Sequence, residues 1–325
     1  MPRPKSDNPE LMAKIARMYY EDELNIIEIA DIFGVSRQLC SRLLKEAKDR
    51  GLVQIRIVDP TREREKEIED RLQEVFGLRA VRCVETFTLE SELTRKIVGA
   101  AAGHFLLRLL KAGDTIGVAY GRTIYEVVRL MRPSVSIPNL TVVQIMGGMS
   151  RVSGDIMATE IPRRLGEVLK AKVVYLLAPA FTKDRASKEA MLQDPTIRAT
   201  LSEKLDVALV GIGGVSPDST LIRTGTITQE EFQELVNRKA VGDVVGTYYN
   251  LQGEIVHFSG DERRIALSVD DLRQVPWVVG VVGGLEKVDA ILGALRGRLV
   301  NALVIDSVTA REVLKRGGFN IQPGD

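Results

Sequence analysis

Four apolar runs in this chain end in glycine: GVAYGRT at Gly121, QIMGG at Gly147 and Gly148, VGIGG at Gly211 and Gly213, and VVGGLEK at Gly283 and Gly284. A glycine after a strand lets the backbone approach an oxyanion, and a following helix N-terminus offers free N–H groups to it. The first turn adds a guanidinium and a hydroxyl, Arg122 and Thr123, and the last adds an ammonium, Lys287. Glycine is also common at strand–helix turns for purely geometric reasons. Several such turns on one sheet nevertheless favour a phosphate-bearing ligand. Asp243, in AVGDVVGTYYN, suits acceptance of a hydrogen bond from a sugar hydroxyl, or stabilisation of its own turn.

A second kind of chemistry lies near the N-terminus, in SRQLCSRLLKEAKDRG. Leu39, Leu43, Leu44 and Ala47 form an apolar stripe, while Arg37, Gln38, Ser41, Arg42 and Lys45 lie opposite it. Ser36 is placed to cap this helix, just after a glycine exit at Gly34. Charge is locally segregated: Asp7 to Asp31 holds seven acidic and two basic residues, and Ser36 to Arg50 five basic and two acidic. Phosphate attraction needs such a field, and base reading needs Arg, Gln and Ser side chains near a helix start. A solvated helix face explains the charges alone. The order IAxxFGVSRxxxSRLLKxAxxxG, with turn, cap and polar cluster in sequence, points to a helix-turn-helix.

The elements that carry these residues divide the chain. Residues 1–58 read as a winged helix-turn-helix, with LVQIRIV (52–58) as a wing strand. Residues 59–77 read as a linker helix with a narrow stripe of Ile68, Leu72, Val75 and Phe76. Over 78–325, β-branched runs (AVRCVE, DTIGVAY, LTVVQIM, KVVYLLA, VALVGIG, WVVGVVG, ALVID) alternate with helical stretches. This is the pattern of an α/β domain with a mostly parallel, Rossmann-like sheet covered on both faces.

Composition narrows the classes further. With 325 residues, 45% hydrophobic and 27% charged, two soluble domains are the natural expectation. A formal charge of +1 gives no global attraction to nucleic acid. Two separated cysteines, Cys40 and Cys83, suit a reducing compartment. No apolar run spans a bilayer and no signal peptide is recognisable, so a cytoplasmic location is expected. His104 and His257 stand apart, and no metal or cofactor is expected.

Taken together, YYEDELNIIEIADIFGVSRQLCSRLLKEAKDRGLVQI, GDTIGVAYGRTIYEV, VVQIMGG, LLAPAF, VALVGIG, AVGDVVGTYYNLQG and VVGGLEKVDAILGALRGRLVNALVIDSVTA resemble the SorC-type (DeoR-related) sugar-binding transcriptional regulators. The resemblance runs from about residue 10 to about residue 315. It implies a winged helix-turn-helix joined to an effector domain similar in fold to sugar-phosphate isomerases. It further implies a homotetramer (a dimer of dimers) on double-stranded operator DNA of a carbohydrate operon, controlled by a sugar or sugar phosphate. Carried over by motif, Gly121, Arg122, Thr123, Gly147, Gly148, Gly211, Gly213, Asp243, Gly283, Gly284 and Lys287 would line the effector pocket. Ser36, Arg37, Gln38, Ser41, Arg42 and Lys45 would face DNA. Many members have Trp where this chain has Tyr120, so ligand identity does not transfer. The competing reading is an isomerase or deaminase fused to a DNA-binding module. That chemistry needs a carboxylate or His base beside the sugar. No paired carboxylate or His arrangement flanks the glycine loops, and a binding role is the simpler expectation.

Overall fold

The computed structural model describes residues 8–54, 61–133, 136–148 and 159–319. It divides into two compact units, Met1–Pro60 and Thr61–Asp325.

The first unit is built on three helices: α1 (Pro9–Tyr20), α2 (Ile26–Phe33) and α3 (Arg37–Asp49). Each begins where a short polar side chain satisfies the free N–H groups of a first turn. Asn8 caps α1, Asn25 and Glu28 form a capping box on α2, and Ser36 Oγ accepts the Leu39 N–H of α3 at 3.2 Å. Gly34, at φ 62°, ends α2 in the left-handed conformation and makes the turn into α3. Met12, Ile15, Ile29, Cys40, Leu43 and Ala47 form the core. Cys40 therefore belongs to the buried stripe of α3, and Leu39 packs only against its margin. Leu52, Val53 and Gln54 form no strand; the rest of the expected wing lies outside the described residues.

In the second unit, seven parallel strands form one sheet in the order β1-β10-β9-β5-β2-β3-β4. They are β1 (Ala80–Val84), β2 (Thr115–Val118), β3 (Thr141–Gln144), β4 (Lys172–Val174), β5 (Val207–Gly211), β9 (Trp277–Val282) and β10 (Ala302–Asp306). Each arises from one of the seven apolar runs. A three-stranded antiparallel sheet, β6 (Gly213–Gly214), β7 (Ala240–Val244) and β8 (Thr247–Asn250), stands beside it.

Alternate strand residues feed two separate cores, as a sheet buried on both faces requires. Val207, Leu209, Val279 and Val281 meet α5 (Ser91–Leu109), α6 (Arg122–Leu130) and α7 (Glu160–Leu169). Ala208, Val210, Val278 and Val282 meet the opposite layer, which includes α4 (Arg62–Phe76), α13 (Val288–Arg296) and α14 (Ser307–Arg316). Between them along the chain run α8 (Arg185–Leu192), α9 (Pro195–Leu201), α10 (Thr220–Arg223), α11 (Gln229–Asn237) and α12 (Val269–Gln274). The segment expected as a linker is thus a layer of the second unit, with Ile68 and Leu72 inside its core. Among the described residues no helix is long and apolar enough to cross a membrane.

Candidate functional site

Strand β2 lies between β3 and β5, and the chain leaves it for β3 on one side before returning to β5 on the other. Such a reversal opens a crevice at the carboxyl ends of the strands. The Gly121, Gly211 and Gly283 turns are all carboxyl-end turns of this region.

At the end of β2 the chain passes through Gly121 into α6, whose first turn has no side-chain cap. Its free N–H groups carry the positive end of the helix dipole. Thr123 is buried, and the Arg122 guanidinium reaches the Asp218 carbonyl at 3.5 Å. At the end of β9, Gly283 and Gly284 lead into a short 3-10 turn, Leu285–Lys287. Gly284 sits at φ 108°, which favours glycine, and its N–H is held by Asp306 Oδ2 at 3.2 Å and Thr309 Oγ1 at 3.0 Å.

Arg95 of α5 joins these two turns. Its guanidinium donates to Ser91 Oγ at 2.7 Å, and Ser91 donates to Glu286 Oε1 at 3.3 Å. Burial and the nearby Arg122 charge both lower the Arg95 pKa. Burial also pulls Lys287 down to about 8; Glu286 opposes that shift, while Arg95 and Arg122 add to it. Like charges that depress one another in this way lie near one another, and such a cluster favours an anion.

Asp243 supplies the acidic counterpart. It pairs with Gly213 in the β6–β7 register, where a Cβ on Gly213 would collide with its carboxylate. Burial raises its pKa to about 6, against the Gly246 N–H at 3.1 Å and the charges of Lys287 and Arg264. The β7–β8 turn is strained: Val245, a β-branched residue, adopts φ 53°. Two anchors hold it, since Asp243 binds the Gly246 N–H and Arg264 donates to the Val245 carbonyl at 3.2 Å. Arg264 is itself mostly buried, and burial lowers its pKa. Backbone strain over-determined by side chains is a common feature of ligand sites.

Arg122, Lys287 and Asp243 thus interact electrostatically as one group, with Gly121, Thr123, Gly213, Gly283 and Gly284 adjoining them in sequence or space. Gly211 ends β5 with ordinary contacts to Ile124. Gly147 and Gly148 spend their N–H groups on the Ile265 and Ala178 carbonyls, at 3.1 and 2.7 Å. Close packing accounts for Gly147, because a Cβ there would overlap the Pro179 backbone. Arg95 and Arg264 escaped the sequence reading. The signal for Arg95 was Gly99, one turn further along α5. A Cβ at Gly99 would stand 2.8 Å from that of Glu126, so glycine lets α5 and α6 cross closely and brings Arg95 to Arg122.

On the first unit, Ser36, Arg37, Gln38, Ser41, Arg42 and Lys45 are all exposed. From Arg37 to Lys45 their spacing follows successive turns of α3, opposite the buried Cys40, Leu43, Leu44 and Ala47. Among the described residues no group of His, Cys, Asp and Glu is arranged to hold a metal.

The family described as a putative sugar-binding domain matches residues 61–315. The sorbitol operon regulator of Klebsiella pneumoniae is 30% identical over 318 residues, covering 95% of this chain and 99% of the relative. The transcriptional regulator LsrR of Enterobacter sp. (strain 638) is 32% identical over 319 residues, 95% of this chain and 94% of the relative. The deoxyribonucleoside regulator of Bacillus subtilis (strain 168) is 29% identical over 310 residues, 95% and 98% of the two chains. The crystal structure of the full-length sorbitol operon regulator SorC from Klebsiella pneumoniae superposes with a TM-score of 0.77 at 29% identity, over 95% of this chain and 99% of that one.

Proposed function

The chain belongs to the SorC-type family of sugar-binding transcriptional regulators, and on that premise we propose that it binds operator DNA through α3 under the control of a phosphorylated sugar held at the β2–β5–β9 crevice. The observation that carries the ligand class is the mutual proximity of Arg95, Arg122 and Lys287, with Asp243 near Lys287. Three cations beside an uncapped helix start suit a phosphate, and the carboxylate suits a sugar hydroxyl. Binding of the effector shifts the population between forms of higher and lower operator affinity. A coupling of about 1–3 kcal/mol changes that affinity by about 5- to 150-fold.

In the first unit, Arg37, Arg42 and Lys45 neutralise phosphates, while Ser36, Gln38 and Ser41 approach base edges from the start of the helix. The homotetramer implied by the family, and a cytoplasmic location, belong to the same proposal; light scattering on the purified chain tests the former. The sequence-level alternative of an isomerase or deaminase finds no support among these relatives, which are named as regulators.

Fluorescence anisotropy with DNA from upstream of the protein's own gene cluster tests the proposal, with and without a panel of hexose and pentose monophosphates. Salt-sensitive binding altered by one of the panel is expected. Absence of binding to that DNA at every salt concentration overturns it.

A further inference from the structure

Strand β1 is an edge of the main sheet, and edge strands ordinarily leave a row of N–H groups unpaired. Here two side chains of α4 fill that role. The N–H groups of Cys83 and Glu85 donate to Glu69 Oε1 and Glu65 Oε1, each at 2.9 Å. The spacing explains the fit. Residues four apart on a helix rise by about 6 Å, close to the roughly 6.6 Å between residues two apart on a strand. Both carboxylates are buried at 5% exposure. Their charge is met by Arg62, at 2.7 Å from Glu69 and 3.2 Å from Glu65, and by Arg82, at 3.2 and 3.4 Å.

The same strand adjoins the ligand crevice through β10. Val84, between the two donors, is the register partner of Asp306. Asp306 Oδ1 caps α14 by accepting the Thr309 N–H at 2.9 Å, while Oδ2 holds the Gly284 N–H of the Lys287 turn. Helix α14 in turn packs on α4. A run of neighbouring contacts therefore leads from Gly284 through Asp306 to its register partner on β1, and from the flanking Cys83 and Glu85 amides to Glu69 and Glu65. Helix α4 is also the first element of the second unit, where the chain arrives from the DNA-binding unit.

We propose that Glu65 and Glu69 are positioning residues that transmit the state of the Gly284–Lys287 turn, by way of Asp306, to the DNA-binding unit. The inference rests on the reading of the Lys287 crevice as the effector site. A ligand that draws in the Lys287 turn moves an amide tied to Asp306. That residue cannot move without disturbing β1 and α14, the two elements on which α4 is seated. Such a claim needs direct evidence of coupling at both ends.

At the ligand end, the full-length Asp306→Asn/Thr309→Val chain is compared with the unaltered protein by hydrogen exchange without any ligand. Asn keeps an acceptor for the helix cap while the pair of acceptors on Gly284 is lost. Exchange over residues 62–76 is expected to quicken about tenfold, with α6 unchanged. Unchanged exchange in α4 overturns the relay. At the other end, Glu65→Ala/Glu69→Ala is expected to bind the active monophosphate of the panel, and ligand-free operator DNA, within about twofold of the unaltered protein. The effect of that monophosphate on operator affinity should fall at least about fivefold. Full retention of the effect overturns the proposal, and so does loss of monophosphate binding, which would make these residues supports of the site. If the unaltered protein ignores the whole panel, the reading of the crevice as a sugar-monophosphate site fails instead, and the exchange experiment alone decides the relay.

Discussion

Asp243 lies opposite Gly213 across the antiparallel pair of β6 and β7, and its carboxylate fills the volume that a side chain on Gly213 would need. The smallest residue thus stands beside a carboxylate that also binds the Gly246 N–H and faces Lys287. Gly213→Ala should displace that carboxylate and weaken monophosphate binding by at least about tenfold, or about 1.4 kcal/mol. Operator binding without ligand should remain. Titration calorimetry together with anisotropy checks both, and unchanged monophosphate affinity would separate Asp243 from the site.

Arg95→Ala and Arg122→Ala are each expected to abolish the response to the monophosphate while sparing DNA binding. Arg95 is the sharper test, because no sequence motif marks it. If Arg95→Ala responds normally, the guanidinium is only a helix-surface group held by Ser91.

Lys287 makes ligand binding depend on pH. Its pKa in the free protein is about 8, so below that value the ammonium is present for the phosphate, and above it the site progressively loses a cation. Monophosphate affinity should therefore fall as pH rises through about 8, and Lys287→Arg should flatten the fall. Stability responds with the opposite preference. A lysine with a lowered folded pKa penalises folding wherever it is charged in both states, which here means below about 8. Lys287→Met is accordingly expected to raise the melting temperature at neutral pH while losing the ligand. A destabilised Lys287→Met chain would contradict the assigned cause of the shift.

On α3, Arg37→Ala and Arg42→Ala should each weaken operator binding and reduce the slope of log affinity against log salt by about one. Monophosphate binding should be untouched. Ser36→Ala removes the acceptor for the Leu39 N–H and should cost about 1 kcal/mol of stability in the first unit. A salt slope unchanged in both arginine variants would remove α3 from the DNA interface.

Much of this protein is determined by local sequence. Apolar periodicity placed the seven parallel strands, because strands buried on both faces need uninterrupted β-branched runs. Asn8, Asn25, Gly34 and Ser36 set the limits of the first three helices, since capping depends on residues adjacent in the chain. The glycine turns and the polar face of α3 were legible for the same reason. The β7–β8 hairpin was not, because its turn puts valine at a left-handed position and lacks the usual Asn-Gly or Asp-Gly signal. Tertiary structure alone decided which polar groups meet. Arg95 and Arg122, or Glu69 and Cys83, are brought together by a helix crossing and by a sheet edge. Those contacts depend on close packing between elements distant along the chain, so Gly99 in α5 and the four-residue spacing of Glu65 and Glu69 permit them without naming the partner.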